Sequence, residues 1–578
     1  MTGPAAPKDP EKARPFFYIL KDKDVFGERQ KDGTGIQFIY ESDGRLINSA
    51  QITGNVTDKE ELTLLETVEG FGRLVHSIGV SVETDRPEET AEFVFQMYGK
   101  KDLYGGGTNL TASLKCDGME HRIYLSDYRW TEDDHVPGQI KILFAAPERM
   151  GKVSVRLFLN DGYEAPSEEE DLVIDMHSEE YCGMISRSLL QLGNPYRIRK
   201  AIEKSKAGKE VTLAYIGGSI TQGAGAIPIH TECYAYKSFQ LFQNRFSTQN
   251  NVRFIKAGVG GTPSELGMIR FDRDVLREGE RPDIVVIEFA VNDEGDETKG
   301  VCYESLVRKV LKLPWKPAVV LLFSVFANDW NLQERLRPVG DLYDLPMVSI
   351  RDAVTPQFSL KCGEGRILSK NQFFYDIFHP NNTGHTIMAD CLQYLFERCD
   401  AAEPARVGTF VEGMTEEQIL SEKLSGPAVI GADFERIFLL DKKNRYVGAK
   451  IRAGGFTSTD MELQSVEMDG SLTQTPEFPY NWMYDGSRPQ MPGFEMEITC
   501  KSLFLIFKDS GEMDVGKANV FVNDVYCMTA DPHKNNWLHC NAVLLFWETE
   551  SRSHKVRITV TEEDQNKKFT ILGFGYTI

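Results

Sequence analysis

The pattern of apolar and polar residues changes twice along the chain and divides it into three parts. Between about residues 16 and 165, short segments alternate apolar and polar side chains, and turn-rich stretches such as 105–109 separate them. The clearest alternating segments are 91–96, 139–144 and 153–159. Alternation of this kind is typical of half-buried strands, so the first part is predicted to be a β-sandwich.

The middle part combines continuous apolar runs with helical periodicity. The runs predict buried strands at 211–216, 252–257, 284–289, 319–326 and 347–350. Between them, apolar residues recur at helical spacing, as at Ala235, Phe239, Phe242 and Phe246. Buried strands alternating with helices predict a doubly wound parallel sheet covered on both faces. Ligands of such sheets bind beyond the carboxyl ends of the strands.

The last part returns to strand-like segments after one short predicted helix. A capping box, Thr415 to Gln418, marks the start of that helix, and strands are predicted at 503–507, 520–522 and 555–560. We therefore predict three domains: a β-sandwich at 1–180, an α/β domain at 181–404 and a second, jelly-roll-like sandwich at 405–578. The acidic run 168–171 is interpreted as a solvated linker.

Charge and composition narrow the function. The 578 residues include 65 Lys and Arg but 86 Asp and Glu, a net charge of −21. This balance disfavours binding to nucleic acid. The most apolar stretch, 317–327, is about half as long as the ~20 residues of a membrane helix, so no membrane partner is expected.

Residues 1–15 are polar, and the ten cysteines form no CxxC pair. We expect a cytoplasmic protein with reduced thiols, although a secreted protein whose signal had been removed would look the same. Homo-oligomerisation stays open.

A glycine-rich turn, residues 217–223, directly follows the first strand of the middle part. It lacks the lysine of a phosphate-binding P-loop and the GxGxxG of a dinucleotide-binding loop. Two interpretations remain. The glycines either form a structural turn or allow a sharp turn that exposes the Ser219 hydroxyl as a nucleophile.

Three further motifs follow later strands of the same part. Asp376 lies three residues before His379, a spacing at which the carboxylate can orient the imidazole toward a serine. Asn292 follows the strand at 284–289, and a glycine-rich loop at 258–262 follows the strand at 252–257. An amide side chain and an unobstructed glycine N–H are both suitable donors to an oxyanion.

Taken in chain order, as Ser219, the glycine-rich loop at 258–262, Asn292 and then the pair Asp376 and His379, the motifs resemble those of the SGNH, or GDSL-type, hydrolases over about residues 205–400. The resemblance implies a flavodoxin-like fold and serine esterase chemistry without a metal or cofactor. It implies that Ser219 is the nucleophile, that Asp376 and His379 complete the triad, and that Ser219, Gly261 and Asn292 form the oxyanion hole. Two positions depart from the family pattern: Gly218 replaces the aspartate of the GDSL signature, and Ala290 replaces the glycine of GxND.

The three-part plan further resembles multidomain carbohydrate esterases, in which β-sandwich modules flank the catalytic domain. This resemblance implies removal of O-acetyl groups from oligosaccharides of plant polysaccharides such as mannan or xylan. Trp130, Trp482 and Trp537 lie in turn-like segments, where an aromatic ring either stacks on a sugar or fills a core. Trp482 is the preferred candidate because loop residues flank it. The alternatives are a lipase or thioesterase for longer acyl chains and a non-catalytic glycan-binding protein.

Other polar residues of the chain receive structural interpretations. We expect His385 to cap a helix or support the site, and Asp293 to form a structural hydrogen bond. Glu265, Asp272 and Asp274 are expected on a solvated helix face. His533 and His539 lack the partner spacing of a metal site.

Overall fold

The structure is a computed structural model. It describes the chain except for residues 1–11, 41–44, 55–58, 102–104, 166–170, 278, 296, 403–413 and 467–474. Apart from Asp171, the predicted acidic linker therefore lies outside the described residues. Within the described part of the chain, no helix is long and apolar enough to span a membrane.

Two antiparallel sheets enclose one core in the N-terminal part. The strands are β1 (Phe16–Phe26), β2 (Glu28–Arg29), β3 (Gly35–Tyr40), β4 (Val75–Thr84), β5 (Thr90–Gly99), β6 (Asn109–Lys115), β7 (His121–Tyr124), β8 (Asp134–Phe144) and β9 (Met150–Leu159). One sheet has the order β1-β9-β4-β7 and the other β2-β3-β8-β5-β6. Three short helices lie between β3 and β4: α1 (Arg45–Gly54), α2 (Lys59–Thr63) and α3 (Val68–Leu74). The predicted sandwich is confirmed.

The middle part contains a six-stranded sheet of order β10-β15-β14-β13-β11-β12. Its strands are β10 (Leu189–Gln191), β11 (Val211–Gly217), β12 (Val252–Gly258), β13 (Ile284–Glu288), β14 (Ala318–Phe323) and β15 (Met347–Ser349). All neighbours pair in parallel except β10, a short antiparallel edge strand. The first parallel strand, β11, lies between β12 and β13, which is the flavodoxin-like order with its topological switch at β11.

Helices cover both faces of this sheet. They are α4 (Glu179–Ser186), α5 (Tyr196–Lys206), α6 (Ser219–Gln222), α7 (Ile229–Glu232), α8 (Tyr234–Phe246), α9 (Ser264–Phe271), α10 (Val301–Leu311), α11 (Gln333–Tyr343), α12 (Ile350–Phe358), α13 (Lys370–Phe373) and α14 (Asn382–Ala401). Successive residues of β11 enter opposite cores: Leu213 packs in one and Ala214 in the other. Burial on both faces explains why the strand sequences are continuously apolar.

The C-terminal part begins with α15 (Glu416–Ser425), whose predicted capping box at Thr415 and Gln418 is present. Its strands are β16 (Phe438–Leu440), β17 (Ala449–Arg452), β18 (Ser465–Val466), β19 (Thr475–Pro476), β20 (Trp482–Tyr484), β21 (Phe494–Asp509), β22 (Ala518–Val522), β23 (Val525–Ala530), β24 (His539–Val560) and β25 (Phe569–Thr577). Except for the β18–β19 hairpin, they form one antiparallel sheet. The long strands β21 and β24 pair with each other along most of their length. They lie at the centre of the sheet, between β16 and β25 on one side and β22 and β23 on the other.

Strand β21 faces two different cores. Leu503 and Leu505 point into the core of the C-terminal domain, whereas Phe504 and Ile506 pack against the middle domain. This is a period-2 alternation in which both faces are apolar. The apolar run 503–507 predicts a buried strand. In the structure one face of this strand lies in the C-terminal core, and the other contacts the middle domain. The fold is therefore an α/β domain with β-domains on both sides.

Candidate active site

The glycine-rich turn after β11 places Ser219 at the first residue of helix α6. The helix is a single turn that ends at Gly223, whose φ of 108° lies in the left-handed region that favours glycine. A Cβ at Gly217 would lie 2.2 Å from Oγ1 of Thr221. The backbone therefore requires glycine on both sides of Ser219 to turn this sharply. Ser219 is thereby presented at the carboxyl end of β11.

A chain of hydrogen bonds joins Ser219 to His379 and Asp376. Nε2 of His379 lies 2.9 Å from Oγ of Ser219, and Nδ1 lies 3.0 Å from Oδ2 of Asp376. The other carboxylate oxygen of Asp376 accepts the backbone N–H groups of Phe378 and His379 at 2.8 and 2.9 Å. Because the carboxylate accepts from Nδ1–H, Nε2 is left to accept the Ser219 proton. This arrangement suits a general base beside a nucleophile.

The proposed oxyanion donors lie on the two strands that flank β11. Gly217 pairs with Gly258 of β12 on one side and with Glu288 of β13 on the other, so the loops carrying Gly261 and Asn292 emerge beside Ser219. Asp293 connects the two loops, since its Oδ1 accepts the N–H of Ser264 at 2.8 Å. The structural interpretation of Asp293 is confirmed.

The departure from the GDSL signature at Gly218 has a steric reason. A Cβ on Gly218 would lie 2.3 Å from Oδ1 and 2.7 Å from Nδ2 of Asn292, so the amide occupies the space of a side chain. Real Cβ atoms do not approach other heavy atoms this closely. The close contact fixes the Asn292 amide directly against the residue that precedes Ser219.

Buried ionic groups hold the two strand ends beneath the site. The guanidinium of Arg270 donates to the carbonyl oxygens of Gly217 at 2.8 Å and Ala257 at 2.9 Å, and pairs with Asp274 at 3.0 Å. Arg270 is fully buried, and Asp274 and Glu265 are 2% exposed. The prediction of a solvated face was therefore wrong for these two acids, although Asp272 is exposed. Asp274 is paired with Arg270, and Oε1 of Glu265 accepts the N–H and the hydroxyl of Thr298, so both carboxylates have partners inside the protein.

Glu288 is a buried carboxyl group that the sequence analysis did not single out. It ends β13, and its Oε2 accepts the hydroxyl of Thr221 on α6 at 3.1 Å. Burial raises the pKa of Glu288 to about 7. The signal in the sequence is a glutamate at the end of the apolar run 284–288, where every other residue is aliphatic.

His385 is a structural group, in agreement with its predicted supporting role. Its Nδ1 accepts the N–H of Tyr234 at 3.1 Å, and its Nε2 donates to the carbonyl of Ala224 at 3.1 Å. Burial lowers the pKa of His385 to about 3, so the ring is neutral near pH 7. It connects the loop that follows α6 to the start of α8.

The C-terminal domain reaches the loop of Gly261. A Cβ on Gly261 would lie 2.8 Å from Cζ2 of Trp537 and 3.3 Å from Cδ2 of His539. Trp537 is 45% exposed, so one part of its ring covers the loop and the rest faces solvent. Nothing local in the sequence indicates this contact of His539, because 278 residues separate it from Gly261.

The other two tryptophans are buried, which corrects the prediction that they bind sugar. Trp130 is 4% exposed, and its indole N–H donates to the carbonyl of Leu125 at 3.4 Å. Trp482 is 6% exposed and lies in the C-terminal core, 5.3 Å from the ring of Phe494. Neither ring presents a face on which a sugar could stack. Of the three candidates, only Trp537 is accessible.

The N-terminal domain contacts the segment that precedes Asp376. The buried ammonium group of Lys23 on β1 donates to the carbonyl oxygens of Phe374 and Asn371. The side chain of Asn371 in turn donates to the carbonyl of Lys21 at 3.3 Å. Burial lowers the pKa of Lys23 to about 8, and the charge of Asp376 opposes that shift. Both flanking domains thus contact backbone segments of the candidate site.

Comparison with known families bears on this geometry. Residues 215–387, which contain Ser219, Gly261, Asn292, Asp376 and His379, match the GDSL-like lipase/acylhydrolase family. The middle part of the chain is a GDSL-like hydrolase domain. The reaction class of this domain is hydrolysis of carboxylic esters. In the described residues, no three His, Cys, Asp or Glu side chains are grouped to hold a metal ion.

Two solved structures resemble this protein over 68% of the chain, which is more than the GDSL-like domain alone. A two-domain esterase (CEX) active on acetylated mannans aligns with a TM-score of 0.55 at 23% identity, covering 68% of this chain and 98% of that protein. A structure of a two-domain esterase (CEX) co-crystallised with mannopentaose gives 0.54 and 24%, with the same coverage. At this identity the likeness shows a shared fold. Comparison with curated protein sequences gave no match.

Proposed function

We propose that this protein is a serine esterase that removes O-acetyl groups from oligosaccharides of plant polysaccharides, of the mannan or xylan type. The observation that carries the proposal is the hydrogen-bonded chain from Ser219 through His379 to Asp376, with distances of 2.9 and 3.0 Å. Both distances lie within hydrogen-bond range, and the first joins the proposed nucleophile directly to its general base.

The proposed reaction proceeds in two steps. Nε2 of His379 accepts the proton as Oγ of Ser219 attacks the ester carbonyl, and the Asp376 carboxylate stabilises the imidazolium. His379 then protonates the leaving sugar alkoxide, which departs and leaves an acetyl group on Ser219. Water, deprotonated by His379, attacks the carbonyl of this acetyl-enzyme. The bond to Oγ of Ser219 then breaks, His379 returns the proton to Oγ, and acetate is released.

The N–H groups of Ser219 and Gly261 and the amide of Asn292 are proposed to bind the oxyanion of each tetrahedral intermediate. In the described structure the two N–H groups donate to no protein acceptor, so both are available. Each such donor typically contributes about 3–4 kcal/mol to lowering the barrier.

Two features favour a carbohydrate substrate. Trp537 borders the loop of Gly261 with 45% of its surface exposed, and a rigid aromatic face beside a site is suited to a sugar ring. In addition, the two-domain esterase with the same fold is described as active on acetylated mannans. The net charge of −21 is compatible with a neutral, acetylated sugar.

The test measures acetate release by nuclear magnetic resonance from acetylated mannan, xylan and pectin oligosaccharides. We expect release from mannan or xylan fragments by the wild type and none by Ser219→Ala with an unchanged melting temperature. Faster cleavage of p-nitrophenyl octanoate than of the acetate would favour a lipase or thioesterase instead. Failure of Ser219 to react with an organophosphonate would favour a non-catalytic glycan-binding protein.

A further inference from the structure

Two side chains of the C-terminal domain hold consecutive peptide groups of the loop after β12. Nε2 of Gln464 donates to the carbonyl oxygen of Gly260 at 2.8 Å, and Nε2 of His539 donates to the carbonyl oxygen of Gly261 at 3.1 Å. Both donors come from outside the GDSL-like domain, which spans 215–387. The contact therefore crosses from one domain to the backbone of another.

The Gly260 carbonyl and the Gly261 N–H belong to the same peptide group. In a planar trans peptide these two bonds point in opposite directions, so a hydrogen bond that fixes the carbonyl also fixes the N–H. Two adjacent glycines give this segment little intrinsic preference for one orientation, and Gly261 has a φ of +69°. The direction of the N–H thus depends on contacts from outside the loop.

The two donors are themselves held in place. Gln464 is 8% exposed, and its Oε1 accepts the N–H of Cys540 at 2.9 Å, which fixes the orientation of its amide. Nδ1 of His539 lies 3.0 Å from Oδ2 of Asp509, a fully buried carboxylate. The two ring nitrogens of His539 therefore face two oxygens, Oδ2 of Asp509 on one side and the carbonyl oxygen of Gly261 on the other. Because Cys540 follows His539 directly, the two supports are connected through the first residues of β24.

We propose that Gln464 and His539 are positioning residues for ester hydrolysis, which aim the N–H of Gly261 at the oxyanion. The inference rests on the proposed function, since it assigns a task to the same site. In this role the C-terminal domain would orient a hydrogen-bond donor to the transition state, in addition to any role in binding sugar.

The test compares kcat and KM for p-nitrophenyl acetate in variants of the full chain. His539→Leu and Gln464→Met are expected to lower kcat roughly 10- to 100-fold, less than the roughly 10²–10³-fold loss when a donor is removed outright. KM should change little, because the oxyanion exists only beyond the ground state. His539→Gln retains an N–H donor at a similar reach and should recover most of the lost kcat.

His533→Leu is the matched control. His533 also uses Nε2 to donate to a backbone carbonyl, that of Val515 at 2.9 Å, within the same domain. This variant should retain the kcat of the wild type. Melting temperatures of all variants are recorded, and if His539→Leu does not fold, the near-isosteric Gln464→Glu replaces it, because its carboxylate cannot donate to Gly260.

The outcomes separate the inference from the proposed function. A wild type with no Ser219-dependent hydrolysis would overturn the proposed function and this inference with it. An active wild type with folded variants of unchanged kcat would overturn the inference alone. A loss shared equally by His533→Leu, or carried entirely by KM, would also overturn it.

Discussion

The buried carboxyl group of Glu288 makes the stability of the GDSL-like domain depend on pH. Burial raises its pKa from the ordinary value of 4.5 to about 7. A group with a raised pKa in the folded state gives its full stabilisation below the unfolded pKa and loses it as the pH rises through the folded pKa. At about 1.4 kcal/mol per pH unit, the free energy of unfolding falls by about 2.5 kcal/mol between pH 5 and pH 8.

Glu288→Gln removes this titration and keeps an oxygen that can accept from Thr221. For a domain of this size, the melting temperature of the variant relative to the wild type should rise by roughly 5–10 °C from pH 5 to pH 8. Differential scanning fluorimetry at the two pH values measures the change. Glu203→Gln, at a glutamate whose side chain is 66% exposed, is the control and should show no such dependence. If the difference between Glu288→Gln and the wild type were equal at both pH values, the reasoning would be refuted.

Three further predictions concern the site and the cores. Asn292→Ala should lower kcat for p-nitrophenyl acetate by roughly 10²–10³-fold with little effect on KM, and a change confined to KM would contradict the oxyanion role. Gly218→Ala should impair hydrolysis, because its Cβ would lie 2.3 Å from Oδ1 of Asn292. The control Gly183→Ala should retain full activity, because its Cβ would meet no atom within 4 Å. Equal rates of hydrolysis by the two variants would count against the steric argument. Trp482→Ala should lower the free energy of unfolding, measured in urea, by about 3–5 kcal/mol, because its ring fills a core. Trp537→Ala should mainly raise KM for acetylated oligosaccharides, because its ring is exposed beside the site. The opposite pattern would refute the assignment of Trp482 to the core and Trp537 to the surface.

The residues that the sequence predicts well are those with a local signature. Ser219 and Asn292 are far apart along the chain, but each follows a strand of the same parallel sheet, β11 and β13, whereas His379 follows α13, 30 residues after β15 ends. Because the carboxyl ends of parallel strands meet at one edge, the strand pattern predicts that Ser219 and Asn292 lie together. The roles of Asp376 and His379 beside them were implied by the resemblance to the SGNH hydrolases. The α/β fold and its flanking β-domains followed from the same periodicities.

Burial and contacts between domains were harder to predict. Loop-like flanks at Trp482 do not reveal that its ring fills a core, and the charges of Glu265 and Asp274 do not reveal their internal partners. His539 contacts Gly261 across 278 residues, and no periodicity or motif spans that separation. These contacts depend on how folded domains pack against one another. A local sequence pattern does not contain that information.

The position of β25 in the C-terminal sheet has a consequence for protein synthesis. This strand, Phe569–Thr577, lies between β16 and β21, so the sheet that carries His539 has a gap until residue 577 has left the ribosome. The residues of the proposed triad are translated nearly 200 residues earlier, since His379 precedes residue 577 by that interval. A nascent chain thus contains every residue of the proposed triad 160 residues before His539 is translated, so the proposed support for the Gly261 loop can form only after the triad is complete.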